Sequence, residues 1–242
     1  MNESLSLLAV FAHPDDESFR CGGTLALLDR RGVRVRVLAA TRGEAGSCGD
    51  PPLCHPKELA AVRERELRCA CAALGIEPPI LLDYRDGELA NGAEEDGVAQ
   101  VLEAIRVWRP QVVLTWPGDG LSGHPDHIAV SRWTGLAFER AASLGPDAPA
   151  ALYHLAVPRS VGKALGLHDL HAVPDEAVTL TVDVTPAWEQ KLAAIYCLRT
   201  QAGESPVLRG PEEKQHLFLG KEHFRRARAR GYDFLPCLAE AS

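Results

Sequence analysis

Two short segments of the sequence combine histidine and aspartate at spacings suited to metal chemistry. His-Pro-Asp-Asp-Glu covers residues 13–17, and His-Pro-Asp-His covers residues 124–127. Catalytic zinc sites take histidine nitrogens and carboxylate oxygens as three protein ligands and keep one position open. Two histidines and one aspartate from these segments would form such a set, and the same set also suits Fe²⁺. Taken singly, each segment equally suits the first turn of a helix, where proline and acidic residues are favoured.

Each segment follows an apolar run that predicts a buried strand. The two runs cover residues 7–12 and 112–116. In an open α/β sheet, residues just past the carboxyl ends of the strands line the crevice where ligands bind. We therefore expect the two segments to meet in one pocket. Burying their histidines and carboxylates together is costly unless a metal or partner charges compensate.

Strand and helix patterns alternate along most of the chain. This alternation predicts one domain over residues 1–242 with an α/β, Rossmann-like fold, in which helices cover both faces of a mainly parallel sheet. The segment after about residue 201 lacks clear alternation and is predicted to pack as a C-terminal appendage. Within it, the arginine-rich stretch 224–230 predicts a solvated helix face. The predicted strands cover residues 5–12, 33–40, 80–83, 111–116, 152–157 and 178–184, and the predicted helices cover residues 22–31, 57–74, 98–108, 128–143 and 187–198.

Composition argues against several classes of partner. The net charge is −7 with both signs scattered along the chain, which disfavours nucleic acid and anionic membrane surfaces. The first apolar run is too short to cross a membrane. Seven cysteines, an odd number without framework spacing, fit a reduced, cytoplasmic protein. Cys48 and Cys54 lie in a predicted long loop, residues 43–56, and are interpreted as ordinary loop residues, with a labile disulfide between them as the alternative.

Five ordered motifs between residues 7 and 129 resemble those of the PIG-L/LmbE family of zinc-dependent N-acetylglucosaminyl deacetylases. Their occurrence together and in order is far more specific than any one of them alone. A weaker likeness returns over residues 191–201. Besides the two histidine segments, the motifs are Thr41-Arg42-Gly43-Glu44, the helical pattern of Arg63, Glu66, Ala70, Leu74 and Gly75, and Tyr84-Arg85-Asp86-Gly87.

The resemblance implies a role for each residue of the two histidine segments. Asp15 would be the general base toward the water on the metal, and this water would attack the acetamide carbonyl. His124 would stabilise the oxyanion and pass a proton to the departing amine, while Asp126 would orient the second segment. Zn²⁺ is the implied cofactor, with Fe²⁺ or another divalent metal as the alternative. The implied metal ligands are His13, Asp16 and His127.

The resemblance also implies a substrate-binding rim. Arg63 and Asp86 match family positions that hold the sugar hydroxyls or neighbouring polar groups, and Glu44 is a candidate for the same rim. The alternative for Arg63 is a surface ion pair with Glu66, because such pairs are common on helices.

Two positions depart from the family pattern. Ser122 stands where some relatives carry an aromatic hydroxyl, so oxyanion stabilisation would rest on the metal and on the histidine two residues later. Leu198 stands where relatives often carry a histidine, which puts any role of that histidine in shaping the pocket in doubt.

The implied function is a zinc-dependent hydrolase that removes the N-acetyl group from an N-acetylglucosamine derivative, such as a glycoside intermediate of low-molecular-weight thiol biosynthesis. Its partner would be this small amino-sugar substrate, and homo-oligomerisation stays open. Alternatives within the class are an amidase for a larger amide or thiol conjugate and a natural-product sugar deacetylase. A non-haem iron oxygenase is disfavoured because its sites commonly lie on β-rich sheets. A silent sugar-binding protein would not need both Asp15 and His124.

Overall fold

The computed structural model describes residues 5–92, 94–203, 205 and 207–241. Strands and helices alternate as the sequence predicted. The strands are β1 (Ser6–Phe11), β2 (Arg34–Thr41), β3 (Ile80–Tyr84), β4 (Val112–Thr115), β5 (Ala151–Ala156), β6 (Leu180–Asp183) and β7 (Lys221–Ala229). The helices are α1 (Asp16–Arg30), α2 (Leu59–Leu74), α3 (Glu94–Trp108), α4 (Pro125–Arg140), α5 (Arg159–Leu165), α6 (Trp188–Cys197), α7 (Arg199–Ala202) and α8 (Glu212–Leu219).

The strands form one seven-stranded sheet in the order β3-β2-β1-β4-β5-β7-β6. Neighbours from β3 to β5 are parallel, whereas β7 is antiparallel to both β5 and β6. The chain order reverses between β1 and β4, where the connections from these strands leave to opposite sides. A crevice forms at such a switch point, beyond the carboxyl ends of the strands. Both histidine segments follow these two strands, and the predicted α/β fold is confirmed.

The core has two halves, one on each face of the sheet. Along β1, Leu7 and Ala9 pack on the face covered by α1, α2 and α6, while Leu8 and Val10 pack on the face covered by α3 and α4. Every residue of β1 is buried. A strand covered on both faces needs apolar residues at successive positions, which explains its unbroken apolar run.

The segment after residue 201 contributes to the sheet itself. The stretch predicted to form a solvated helix face is part of β7, which lies between β5 and β6. Phe224 is buried on one side of this strand, and the arginines that dominate its pattern are mostly exposed. Buried Glu222 accepts the backbone N–H groups of Gly23 and Thr24 and pairs with Lys191 at 2.6 Å. These contacts tie the tail to α1 and α6, so it is an integral part of the domain.

A disulfide between Cys69 and Cys197 joins α2 to α6. The expectation of reduced cysteines is therefore wrong for this pair. The two cysteines are 128 residues apart, and such a separation leaves no spacing signal in the sequence. Cys48 and Cys54 are free, as expected for ordinary loop residues. Among the described residues, no helix has the length and apolar character needed to cross a membrane.

Candidate active site

The two histidine segments meet at the carboxyl ends of β1 and β4. The Nδ1 atom of His13 lies 3.3 Å from Nε2 of His127 and 3.8 Å from Oδ2 of Asp16. The Nε2 atom of His127 lies 3.6 Å from Oδ1 of Asp16. A tetrahedral ion with bonds of about 2.0–2.1 Å holds its ligand atoms about 3.4 Å apart. The 3.3 Å between the two histidine nitrogens matches this separation, and Asp16 presents a different carboxylate oxygen to each of them.

Hydrogen bonds on the far side of each histidine ring orient these nitrogens. The Nε2 atom of His13 lies 3.0 Å from Oδ1 of Asp86 and 3.3 Å from Oδ2 of Asp126. The Nδ1 atom of His127 faces the carbonyl oxygen of Gly120 at 3.2 Å. A ring N–H given to a carboxylate or carbonyl leaves the other nitrogen free as a metal ligand, and such partners are usual around metal-binding histidines.

The charges at this end of the crevice also fit a cation. Three carboxylates surround His13, those of Asp16, Asp86 and Asp126. Burial alone would lower the pKa of His13, but hydrogen bonds to Asp126 and Asp86 and the charge of Asp16 raise it to about 10. Burial would raise the pKa values of Asp86 and Asp126, yet their bonds to His13 hold both below the usual range. A divalent ion would balance this concentration of negative charge.

Two overlapping groups also bring ligand atoms within 4.8 Å of one another, and both include His13. One adds His124 and His127, and the other adds Asp86 and Asp126. The Nδ1 atom of His124 accepts the backbone N–H of Asp126 at 3.2 Å, which caps α4. In a neutral ring this bond places the proton on Nε2, so the arrangement suits hydrogen-bond donation better than metal ligation.

Asp15 occupies a special backbone position between β1 and α1. Its φ of 122° lies in a region that side chains rarely adopt, and its N–H is held by the carboxylate of Glu17 at 3.1 Å. Its Oδ2 lies 3.0 Å from the Arg63 guanidinium, and 26% of its side chain is exposed. Burial raises the pKa of Asp15 to about 7 against the opposing charge of Arg63. A carboxylate that titrates near neutrality is suited to general-base catalysis.

Arg63, expected at the substrate rim, is buried beneath the first segment. It donates to the carbonyl oxygens of Gly43, at 2.8 Å, and Pro14, besides its bond to Asp15. The alternative of a surface pair with Glu66 is wrong, because that carboxylate accepts from Thr200 instead. Gly43 has a φ of +69°, and a Cβ there would collide with the guanidinium. The Thr-Arg-Gly-Glu turn therefore owes its glycine to the close approach of Arg63.

Asp86 and Glu44, the other residues expected at the rim, are engaged with the protein. Besides its contact with His13, Asp86 accepts the N–H of Ala45 at 3.0 Å. Glu44 accepts the N–H of Asp86 at 3.1 Å through Oε1, while its Oε2 is buried and has no hydrogen-bond partner among the described residues. Together these bonds fasten the turn after β2 to the turn after β3.

Asp126 lies at the start of α4 and is fully buried. In addition to His13, its carboxylate accepts the N–H groups of Gly87, at 2.7 Å, and Leu89, at 3.1 Å. The bonds thus connect the second segment to the first segment and to the turn after β3.

Trp116 supports two of the expected metal ligands, a role that the sequence analysis did not foresee. Its ring stacks on His127 with centroids 3.9 Å apart, and its Nε1 donates to Oδ2 of Asp16 at 3.2 Å. Its place at the end of the apolar run before the second segment was the available signal.

A cavity of about 560 Å³ opens beside these residues. Asp15, Asp16, Trp116 and His127 form its inner end. Neither Ser122, which is exposed, nor Leu198, which is buried in the core, lines this cavity. The outer walls are formed by Phe19, Arg20, Gly166, Leu167, His168, Asp169, Leu170, Gln201, Ser205, Val207 and Phe218.

Comparison with known proteins agrees with this geometry. Residues 8–138, more than half of the chain, match the family described as PIG-L, GlcNAc-PI de-N-acetylase. The chain belongs to the PIG-L family. A PIG-L relative from Acidothermus cellulolyticus, named 1D-myo-inositol 2-acetamido-2-deoxy-alpha-D-glucopyranoside deacetylase, is 34% identical over 94% of this chain and 90% of its own length.

Solved structures share the fold of this PIG-L protein at lower identity. The N,N'-diacetylchitobiose deacetylase from Pyrococcus horikoshii is 22% identical with a TM-score of 0.66, covering 93% of this chain and 84% of the other. The 4-carboxy-2-hydroxymuconate hydratase GalB from Pseudomonas putida KT2440 is 20% identical with a TM-score of 0.70, covering 95% and 98%. Because the fold also occurs in a hydratase, the fold alone does not identify the reaction.

The expected family and the expected enzyme class, a deacetylase hydrolase, are confirmed by the family match and by the named relatives. The histidine and aspartate cluster provides a site at which this chain could hold a metal ion.

Proposed function

We propose that this PIG-L protein uses zinc to hydrolyse the acetamide of an N-acetylglucosamine glycoside, releasing acetate and the free amino sugar. The glycoside of 1D-myo-inositol is the first compound to test, because relatives that are about one-third identical carry that substrate in their names. The cavity volume of about 560 Å³ is within the range of small-molecule sites.

One observation carries the proposal. The Nδ1 atom of His13 and the Nε2 atom of His127 lie 3.3 Å apart, each within 3.8 Å of an oxygen of Asp16, and Asp15 lines the inner end of the cavity with Asp16 and His127. Three protein ligands with an adjacent carboxylate are the parts that metal-assisted hydrolysis requires. A divalent ion held there would polarise the amide oxygen and acidify a water molecule.

The chain's own residues would then move the protons. Asp15, with a pKa of about 7 in this environment, accepts a proton from the attacking water. His124 holds its proton on Nε2, because Nδ1 caps α4, and donates this N–H as a hydrogen bond to the oxyanion that forms on the acetamide, while the proton taken up by Asp15 passes to the nitrogen of the departing amine. Its ring lies 4.5 Å, centroid to centroid, from that of His127, so this donor is adjacent to the ligand cluster.

Arg63, Asp86 and Asp126 would act through these residues. Arg63 holds the carboxylate of Asp15 toward the cavity, and the two aspartates hold the ring of His13 with Nδ1 directed at the ligand cluster. Loss of such a supporting bond typically costs about 10- to 100-fold in metal affinity or activity. Glu44, whose buried Oε2 has no hydrogen-bond partner among the described residues, would support the site by holding the turn that carries Asp86.

The test measures acetate and free-amine release from N-acetylglucosamine, its 1D-myo-inositol glycoside and N,N'-diacetylchitobiose, with metal content determined on the same preparation. We expect equal amounts of acetate and amine, loss of both after chelation, and recovery on adding one equivalent of Zn²⁺. Recovery with Fe²⁺ but not Zn²⁺ would reassign the metal. One zinc per chain without release from any of the three compounds would contradict the proposed substrate class.

A further inference from the structure

Arg20 lines the same cavity, farther from the metal-binding end. It lies on α1 four residues after Asp16, which places its backbone about 6 Å farther along the helix axis. With Phe19 and Phe218 it forms part of the outer wall. Its guanidinium lies over the Phe218 ring, 5.0 Å from the centroid, so the aromatic ring supports the side chain from one side.

This guanidinium has no ionic partner among the described residues. No described carboxylate lies within 4.0 Å of it, and it makes no hydrogen bond to the part of the chain that the structure describes. Burial lowers the pKa of Arg20, while the more distant charges of Asp16 and Asp15 oppose that effect. Arginine stays charged in proteins, so the cavity wall carries a partly desolvated positive charge whose donors are available to a ligand.

Other arginines of this protein have a different setting from that of Arg20, and Arg63 illustrates the contrast. Arg63 uses its donors on two carbonyl oxygens and on Asp15. Arg42, near the turn after β2, pairs with Glu64 and Asp83. Arg20 instead lines a cavity with a planar group of donors that suits carboxylate and phosphate oxygens.

We propose that Arg20 binds an anionic group, a carboxylate or a phosphate, on the aglycone of the substrate. This inference rests on the proposed function, since it assigns the sugar acetamide to the inner end of the cavity and the aglycone to the outer wall. It makes the preferred substrate an N-acetylglucosaminide whose aglycone is acidic. Asp169, an acidic residue among the described residues of the outer wall, would disfavour an acidic group on its own side and so direct the anion toward Arg20.

The experiment compares three α-N-acetylglucosaminides that share a three-carbon aglycone: those of glycerol, glycerate and glycerol phosphate. The first is neutral, the second carries a carboxylate and the third carries a phosphate. The proteins are wild type, Arg20→Met, Arg20→Lys and, as a control, Arg65→Met, which changes an exposed arginine of α2. Acetate release is measured with the zinc-loaded enzyme, and binding of each intact glycoside is measured by calorimetry with the metal-depleted protein.

For Arg20→Met we expect kcat/KM on the preferred acidic glycoside to fall by about 10- to 100-fold, as for a lost hydrogen bond to a charged group. The value of kcat/KM on the neutral glycoside should change by less than about threefold, which is well below the tenfold change that corresponds to about 1.4 kcal/mol. Arg20→Lys should lie between wild type and Arg20→Met, because it keeps the charge but loses the planar fork. Arg65→Met should behave as wild type. The better acidic substrate identifies carboxylate or phosphate as the group bound.

The binding measurements distinguish a failure of this inference from a failure of the proposed deacetylation. Tighter binding of an acidic glycoside than of the neutral one, lost in Arg20→Met, supports anion recognition even without acetate release, and in that case the proposed deacetylation alone has failed. Equal binding of all three glycosides by the wild-type protein would overturn the inference. An equal loss with neutral and acidic glycosides in Arg20→Met would also overturn it, because Arg20 would then act only on the cavity's structure.

Discussion

In the first His-Pro-Asp segment the helix begins at Asp16, after the tripeptide, whereas in the second segment it begins at Pro125, inside the tripeptide. The first aspartate, Asp15, is left outside the helix with a φ of 122° and a partly exposed side chain at the cavity. The second, Asp126, enters the first helical turn and is fully buried. The same three residues therefore present the aspartate to the cavity in one case and to the protein interior in the other.

The histidines of the two segments differ in the same way. The first, His13, directs Nδ1 toward the ligand cluster and uses Nε2 on two carboxylates. The second, His124, uses Nδ1 to cap α4, which in a neutral ring leaves the proton on Nε2. A short motif thus predicts which side chains gather at a site, but the position of the helix start decides what each of them does. The five substitutions below test this division of roles.

The largest effect is expected for His13→Ala. It removes a proposed metal ligand and leaves the carboxylates of Asp86 and Asp126 without their partner. We expect loss of bound zinc, loss of measurable acetate release and a lower melting temperature. Metal analysis and thermal unfolding of the same preparation check this, and full zinc occupancy in the variant would show that the ion binds elsewhere.

Asp15→Asn should reduce kcat by about 10³-fold, within the range for loss of a general base. The amide is isosteric and cannot accept the proton, so zinc content should stay at the wild-type value. Asp83→Asn is the matched control, because the Asp83 side chain is 89% exposed. Near wild-type turnover in Asp15→Asn would remove this residue as the base.

For His124→Asn we expect about 10²-fold lower kcat with zinc retained, because the variant loses the Nε2–H that donates to the oxyanion. Asparagine is itself a favoured N-cap residue, so α4 should keep its start. Unchanged melting temperature and unchanged metal content are therefore part of the expected result. Loss of zinc would instead favour the alternative ligand group that contains His124.

The equivalent change in the second segment, Asp126→Asn, should act mainly on binding and stability. One of its three partners would meet an amide NH₂ group instead of an oxygen, which costs about 1–3 kcal/mol of unfolding free energy. Zinc affinity should fall by about 10- to 100-fold, with much of kcat recovered at saturating zinc. If Asp126→Asn and Asp15→Asn showed the same profile of metal content and kcat, the proposed difference between the two aspartates would be wrong.

Trp116→Phe should have the smallest effect. The phenyl ring keeps contact with His127, and the bond from Nε1 to Asp16 is lost. We expect less than about a tenfold weakening of zinc binding, below the usual range for loss of a metal ligand's supporting partner. A zinc titration checks this value, and a loss of metal equal to that of His13→Ala would mean that Trp116 does more than orient Asp16.

Much of the fold could be predicted from local pattern. The apolar run of β1 and the two histidine segments after β1 and β4 were visible in the sequence, and the switch-point rule for α/β sheets brought them together. The strand β7 was not predicted. Exposed arginines dominate its sequence, and the alternation of buried and exposed residues becomes clear only from its packing against α1 and α6. The disulfide between Cys69 and Cys197 was hidden for a similar reason, since its partners meet only after α2 and α6 pack.

For the site, the sequence predicted which residues gather there better than it predicted the contacts between them. Sequence and family resemblance identified the residues that gather at the crevice, yet they gave no reason for Asp126 to accept from Gly87 and Leu89, or for Arg63 to lie under Asp15. Those partners come from different loops, and a pairing between loops depends on the finished tertiary structure.

The measurement that tests the central claim most directly is anomalous diffraction at the zinc edge from crystals of the zinc-loaded protein. The division of roles predicts one ion about 2.0–2.2 Å from Nδ1 of His13, a carboxylate oxygen of Asp16 and Nε2 of His127, with His124 and Asp126 outside bonding distance. An ion on the Nε2 side of His13, bound by Asp86 and Asp126, would contradict it.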